Sequence, residues 1–143
     1  GLGNCTVKFA KCCTPVPGDP VIGFITRGQG VSIHRRDCKV AIRLASQRGD
    51  DIVAVDFEED KDFLYPVRID IRAIDRYHLL VDLIDCITNR LQLSLTHIVT
   101  KENDEIVDCS MEFQVHSSAE MHEAIAGISQ ISGVDEVKQR IEY

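Results

Sequence analysis

Residues 58 to 62 read Glu-Glu-Asp-Lys-Asp and hold no side chain that a core would bury. A solvated run of that kind does not pass through a protein interior, so the 143-residue chain divides there into two small cores. We place one domain at residues 1–60 and a second at 61–143, each large enough to build a modest core without disulfides. Nothing approaches eighteen consecutive apolar residues, which argues against a membrane span. The start Gly1-Leu2-Gly3 lacks a basic segment and an initiator methionine, so the expectation is an excised fragment without a signal peptide.

Two kinds of patterning flank the break. Before it, Val21 to Thr26, the glycine turn Arg27-Gly28-Gln29-Gly30 and Val31 to Ile33 read as a β-hairpin. Pro15-Val16-Pro17-Gly18-Asp19-Pro20 is excluded from any helix, because its three prolines lack amide donors. Asp37 is placed to cap a short helix carrying Val40, Ala41, Leu44 and Ala45 on one side, with Gly49 to end it. Val53, Val55 and Phe57 then alternate as a strand.

After the break, Val67, Ile69, Ile71 and Ala73 alternate with Arg68, Asp70 and Arg72, the pattern of a half-buried strand. Asp75 is placed to cap a helix whose stripe is Leu80, Leu83, Ile84, Ile87 and Leu91. A strand over residues 93–100, a turn at Glu102-Asn103-Asp104 and a strand with Val107, Cys109, Met111, Phe113 and Val115 form a second hairpin. Ser117 and Glu120 have capping-box spacing ahead of Ile125, Ile128 and Ile131, and Gly133 precedes a last strand from Val134 to Tyr143. The order β-α-β-β-α-β predicts a ferredoxin-like sheet with two helices on one face, and the chain as a whole is α+β.

Charge and cysteine usage narrow the chemistry. Residues 1–48 hold eight lysines and arginines against two aspartates, a net +6, while residues 49–143 carry −13. Within that basic end, Arg27, Arg35, Arg36, Lys39 and Arg43 are candidates to hold the phosphates of an RNA backbone, against the plain alternative of solubility. The six cysteines are unevenly spread and no secretory signal accompanies them, so a reducing, cytoplasmic setting is expected. Cys5, Cys86 and Cys109 read as packing residues, and His97, His116 and His122 as ordinary surface or packing histidines.

Cys12, Cys13, His34 and Cys38 offer three sulfurs and one nitrogen, the donor set of a closed, structural zinc site. His34 and Cys38 are spaced to meet on one side of a helical turn. Adjacent residues on a strand point to opposite faces, so both Cys12 and Cys13 reach one ion only if they lie in a turn. The competing reading is three small buried hydrophobes and a satisfied histidine.

Lys11-Cys12-Cys13, Pro15-Val16-Pro17-Gly18-Asp19 and the run from Ile22 to Cys38 resemble the conserved-cysteine, zinc-finger domain of long RelA/SpoT-type proteins. Those proteins make and degrade the alarmone (p)ppGpp in the bacterial stringent response, and in them an ACT domain of ferredoxin-like fold follows. Asp75-Arg76-Tyr77-His78-Leu79-Leu80 looks like the Asp-Arg-x-Gly-Leu-Leu signature of that domain. The resemblance implies a regulatory fragment that docks on ribosomal RNA, senses tRNA and relays the signal to upstream catalytic domains of the same protein. It also implies an amino-acid-binding turn at Asp75, Arg76, His78 and Leu79, and a homodimer through the ACT domain. The signature's glycine is His78 here, and a side chain at that position argues against close approach of an amino acid.

An enzyme is the weakest reading. The chain has no phosphate-binding Gly-x-x-x-x-Gly-Lys, no His-Glu-x-x-His and no Gly-x-Ser-x-Gly, and no part resembles the family's synthetase or hydrolase centres.

Overall fold

The computed structural model describes residues 6–28 and 30–141, and Cys5, read as a packing residue, lies outside them. The chain forms two compact units, Gly1–Glu59 with Ile141–Tyr143, and Asp60–Arg140. Each is a mixed α+β structure built around its own four-stranded sheet.

In the first unit the strands are β1 (Val7–Phe9), β2 (Val21–Thr26), β3 (Gly30–Arg35) and β4 (Ile52–Val53), in the order β1-β3-β2-β4. The β2–β3 hairpin is the expected one, with Thr26 paired to Gly30 across the turn. Gly30 takes φ +85, and an added Cβ would collide with the Thr6 carbonyl, so only glycine fits there. Strand β1 runs parallel to β3 and has no signal in the sequence, because three residues carry too little periodicity. Helix α1 (Lys39–Gln47) covers one face of this sheet, burying Ala41 against Phe24, Ala10, Cys13 and Cys38. The opposite face carries Val31, Ile33 and Gly23, and a Cβ on Gly23 would collide with Val55.

Two expectations fail here. The first-unit helix begins after Cys38 rather than after Asp37, and no side chain caps it, because the Asp37 carboxylate is taken by Arg35. Of the expected strand with Val53, Val55 and Phe57 only Val53 joins the ladder, together with Ile52 before it. Beyond them the chain passes over the sheet face, where Phe57 stacks on Phe9 at 5.0 Å.

The second unit has β5 (Tyr65–Ile74), α2 (Leu79–Asp85), β6 (Ser94–Asn103), β7 (Ile106–Val115), α3 (Ser118–Ser129) and β8 (Val134–Gln139). The sheet order β6-β7-β5-β8 is antiparallel throughout, which is the ferredoxin-like arrangement the element order predicts. Val67, Ile69, Ile71 and Ala73 of β5 and Val107, Cys109, Met111, Phe113 and Val115 of β7 are all buried, with Leu83, Ile87, Met121 and Ile128 from the helices. Full burial of this many aliphatic side chains, at about 1.5–3 kcal/mol each relative to exposure, is the main stabilising term.

Boundaries differ from the periodicity. Helix α2 starts at Leu79 with His78 as its cap residue at φ +63, and it widens over Cys86–Arg90, where the Leu91 amide bonds to the Cys86 carbonyl. Counted from Leu79, where the helix starts, the buried positions follow ordinary helical spacing at Leu79, Leu83, Cys86 and Ile87, while Leu80 is exposed. Ser117 is the cap position of α3 but makes no side-chain cap bond, and Glu120 instead accepts the backbone amide of His116. The tight turn of the second hairpin sits at Asp104 and Glu105, later than expected, with Asp104 at φ +58.

Candidate metal centre

Cys12, Cys13, His34 and Cys38 converge in the first unit, with one donor atom from each lying within 4.8 Å of all the others. The separations are 3.4 Å from Cys12 Sγ to His34 Nδ1, 3.6 Å from Cys12 Sγ to Cys38 Sγ, and 3.9 and 3.8 Å from His34 Nδ1 to Cys13 and Cys38 Sγ. A tetrahedral zinc with Zn–S near 2.3 Å and Zn–N near 2.05 Å has S–S edges of about 3.8 Å and S–N edges of about 3.6 Å. The four separations given lie within about 0.3 Å of those edges and every pair of donors is within 4.8 Å, so the residues fit the metal.

Local structure explains the convergence. Lys11, Cys12 and Cys13 form a turn, closed by the Thr14 amide bonding to the Ala10 carbonyl at 3.0 Å, with Thr14 at φ +42. That turn brings both adjacent thiols to one side. His34 is on β3 and Cys38 caps α1, so they meet across a strand-turn-helix junction and not within one helical turn as the spacing suggested. The Arg35 amide donates to Cys13 Sγ at 3.2 Å, and the Phe24 ring stands edge-on to the His34 ring at 5.7 Å. An N–H donor of this kind favours a thiolate, as metal ligation requires.

The cluster is mostly dry. Cys13 and Cys38 are fully buried, His34 is nearly so and Cys12 is partly open. Burial pushes the Cys12 thiol up and the Cys13 thiol well above the ordinary range, and it pushes the His34 imidazole down toward its neutral form. A divalent cation at the centre reverses the thiol shift by stabilising the charged sulfurs, and the neutral imidazole is already the ligating form.

The other candidate residues separate into two groups. Arg27, Arg36, Lys39 and Arg43 are exposed in the first unit. Arg35 is not, with a side chain 13% accessible between Asp19 at 3.6 Å and Asp37 at 3.0 Å. It ties the Pro-rich loop to the segment after β3, since Asp19 also accepts the Val16 amide. Sequence reading missed this role, although Asp19 and Asp37 are the sole acidic residues in the basic stretch.

In the second unit the turn of residues 75–79 is filled by its own side chains. The Arg76 guanidinium donates to the carbonyls of Ser132 and Tyr77 and to the Asp82 carboxylate, Asp75 is exposed, and Leu79 is buried. The one cation of the turn is thus already engaged, which leaves no donor fork for an amino acid carboxylate. His78 adopts the left-handed conformation that glycine would favour, with the Tyr77 ring against it at 4.2 Å.

Comparison with known proteins places both units. Residues 1–58 match the RelA/SpoT RIS domain family, and residues 44–138 match the ACT domain family. The chain is 33% identical over 137 residues to a GTP pyrophosphokinase of Streptomyces coelicolor, covering 96% of this chain and 16% of that protein. It is also 33% identical to the bifunctional (p)ppGpp synthase/hydrolase RelA of Mycobacterium tuberculosis, covering 96% of this chain and 18% of that one. The chain thus spans under a fifth of the length of these relatives. The ACT domain of a GTP pyrophosphokinase from Chlorobium tepidum superposes with a TM-score of 0.51 at 17% identity, over 55% of this chain and all of that one, which supports the fold. The chain belongs to the ACT-domain family, in the RIS-then-ACT arrangement of the C-terminal regulatory region of RelA/SpoT GTP pyrophosphokinases.

Proposed function

We propose that the chain is the non-catalytic sensing region of a (p)ppGpp synthetase/hydrolase, in which a zinc-held cysteine domain binds ribosomal RNA and tRNA and the ACT domain relays occupancy to catalytic domains elsewhere in the protein. The observation that carries this is the pairing of a buried tetrahedral donor set with exposed cations around it. Cys38 is both donor and cap of α1, which displays Lys39 and Arg43, while Arg36 lies between Cys38 and the donor His34. When bound, the ion supplies structural closure: it joins the 11–13 turn, the end of β3 and the start of α1. The residues themselves then hold the arginines at fixed separations for phosphate contact, as a backbone-reading surface requires.

Salt-dependent RNA binding by the 143-residue chain tests it. Replacing Arg36 and Arg43 with alanine is expected to weaken binding severalfold and to reduce the slope of log K against log salt by about one for each phosphate that is no longer neutralised. Binding unchanged by these substitutions, in protein that keeps its metal, would remove the RNA reading. An amino acid sensor is the second reading, and the engaged Arg76 speaks against it.

A further inference from the structure

Arg35 stands where the segments that carry the metal donors come together. It closes β3 directly after the donor His34, and the donor Cys38 follows three residues later. Its amide donates to Cys13 Sγ at 3.2 Å, and its carbonyl accepts the Cys38 amide at 3.1 Å. The backbone of this one residue therefore adjoins three of the four donors, His34 by a peptide bond and Cys13 and Cys38 by hydrogen bonds.

The side chain sets where that backbone lies. Its guanidinium holds both oxygens of Asp37, Nε to Oδ1 at 3.0 Å and Nη2 to Oδ2 at 3.2 Å, a parallel fork that lysine cannot form. On the other side Nη1 stands 3.6 Å from Asp19 Oδ2, and the same oxygen accepts the Val16 amide at 3.0 Å. Val16 is buried three residues after Cys13. These contacts close a ring: along the chain from Cys13 to Val16, through Asp19 to the guanidinium, and back through the Arg35 amide to the Cys13 sulfur. A smaller ring runs from the guanidinium through Asp37 to Cys38 and returns by the Arg35 carbonyl. The donors come from a turn, the end of a strand and the start of a helix, so no single element holds them in register. The two rings do.

We propose that Arg35 is a positioning residue of the metal centre: its fork fixes the peptide that donates to the Cys13 sulfur and anchors Cys38, so the thiols are arrayed for a divalent ion before it binds. Burial agrees with this role. Of the five cations read as candidates for phosphate contact, Arg35 alone is turned inward, and the Asp19 side chain against it is 9% accessible. Drawing a cation and a carboxylate that far from water costs free energy, which a phosphate contact at the surface does not require. Hydrogen bonds around a metal site act by orienting the ligands and tuning their charge, and an N–H donor lowers the energy of the sulfur lone pair it meets. The proposal rests on metal binding by the cluster and is independent of RNA binding.

Cobalt(II) titration of the 143-residue chain, followed by zinc competition, is the test, and the wild-type chain is expected to show thiolate charge-transfer absorption. Arg35→Lys keeps a cation against the buried Asp19, and so keeps the fold, but loses the fork. It is expected to bind cobalt several times more weakly, with the charge-transfer band moved to longer wavelength because the Cys13 sulfur no longer has its aligned N–H donor. Arg35→Ala is expected to weaken binding at least tenfold, the usual size of such losses around a metal site. Arg48→Ala is the control, since Arg48 lies at the far end of α1 from Cys38 and ties it to the Ile25 carbonyl at 3.1 Å and to Asp51 at 2.9 Å. That variant is expected to unfold at lower urea while keeping the wild-type cobalt affinity and spectrum. Wild-type affinity and spectrum in Arg35→Lys would overturn the proposal and leave the metal reading intact, as would an equal loss of affinity in Arg48→Ala. A wild-type chain that binds no cobalt would overturn the metal reading and the proposal with it.

Discussion

At His34, burial and metal ligation ask for the same protonation state. The imidazole sits among Phe24, Cys12, Cys13 and Cys38, and burial lowers its pKa by disfavouring the cation. A base whose folded pKa lies below its unfolded value binds fewer protons when folded, so stability rises with pH through that window and is lost as pH falls below the free imidazole value near 6.5. Protons and metal also compete for the same nitrogen. Cobalt-loaded protein is therefore expected to lose its thiolate charge-transfer absorption between about pH 6.5 and 5. In His34→Gln the loaded fraction is expected to be several times lower already at neutral pH. Cobalt spectra identical in the two proteins would show that His34 is no ligand. The candidate donor set, three cysteines and a histidine, was legible from residue types and spacing alone. Two facts were not: that adjacent Cys12 and Cys13 face the same way, and that Arg35 serves the fold. The first depends on a turn whose Thr14 has positive φ, the second on Asp19 approaching from a loop sixteen residues away.

At the scale of elements, period-two alternation identifies β5 and β7 correctly because both faces of those strands are decided locally: one is buried on helices and the other is charged. Helix boundaries are less legible. A regular 3.6 period places Leu83 and Ile87 on the stripe of α2 but does not separate Leu79, which is buried, from its neighbour Leu80, which is not, and the helix ends in a widened turn at Cys86–Arg90. That turn also sets how closely α3 approaches. Gly127 of α3 has Cys86 Sγ only 3.0 Å from where a Cβ would stand. Gly127→Val is expected to cost about 1–3 kcal/mol by overpacking, measured by urea unfolding, and Cys86→Ala in the same chain is expected to recover part of it. Additive costs in the double variant would show that the two residues do not press on each other.

For the whole molecule, the two units have separate cores and separate sources of stability. The second is held by a broad apolar layer, whereas the first has a small core whose largest buried side chain is Phe24 and which includes the candidate metal donors Cys13 and Cys38. Small cores of that kind lean on a staple. Adding a chelator is expected to raise amide hydrogen exchange over residues 6–58 while leaving 65–139 protected. Equal loss of protection in both segments would mean that the units unfold as one.

Alternation, turn residues and the polar run at 58–62 specify that this chain makes two sheets, one of them ferredoxin-like, because those properties depend on neighbours a few residues away. Which charges meet and which thiols converge depends on strand register and on loops that return from distant positions. Only the folded chain brings Cys12 and Cys13 against Cys38 and closes Arg35 on Asp19. Contacts across long sequence separations follow from packing of whole elements, which no local pattern encodes.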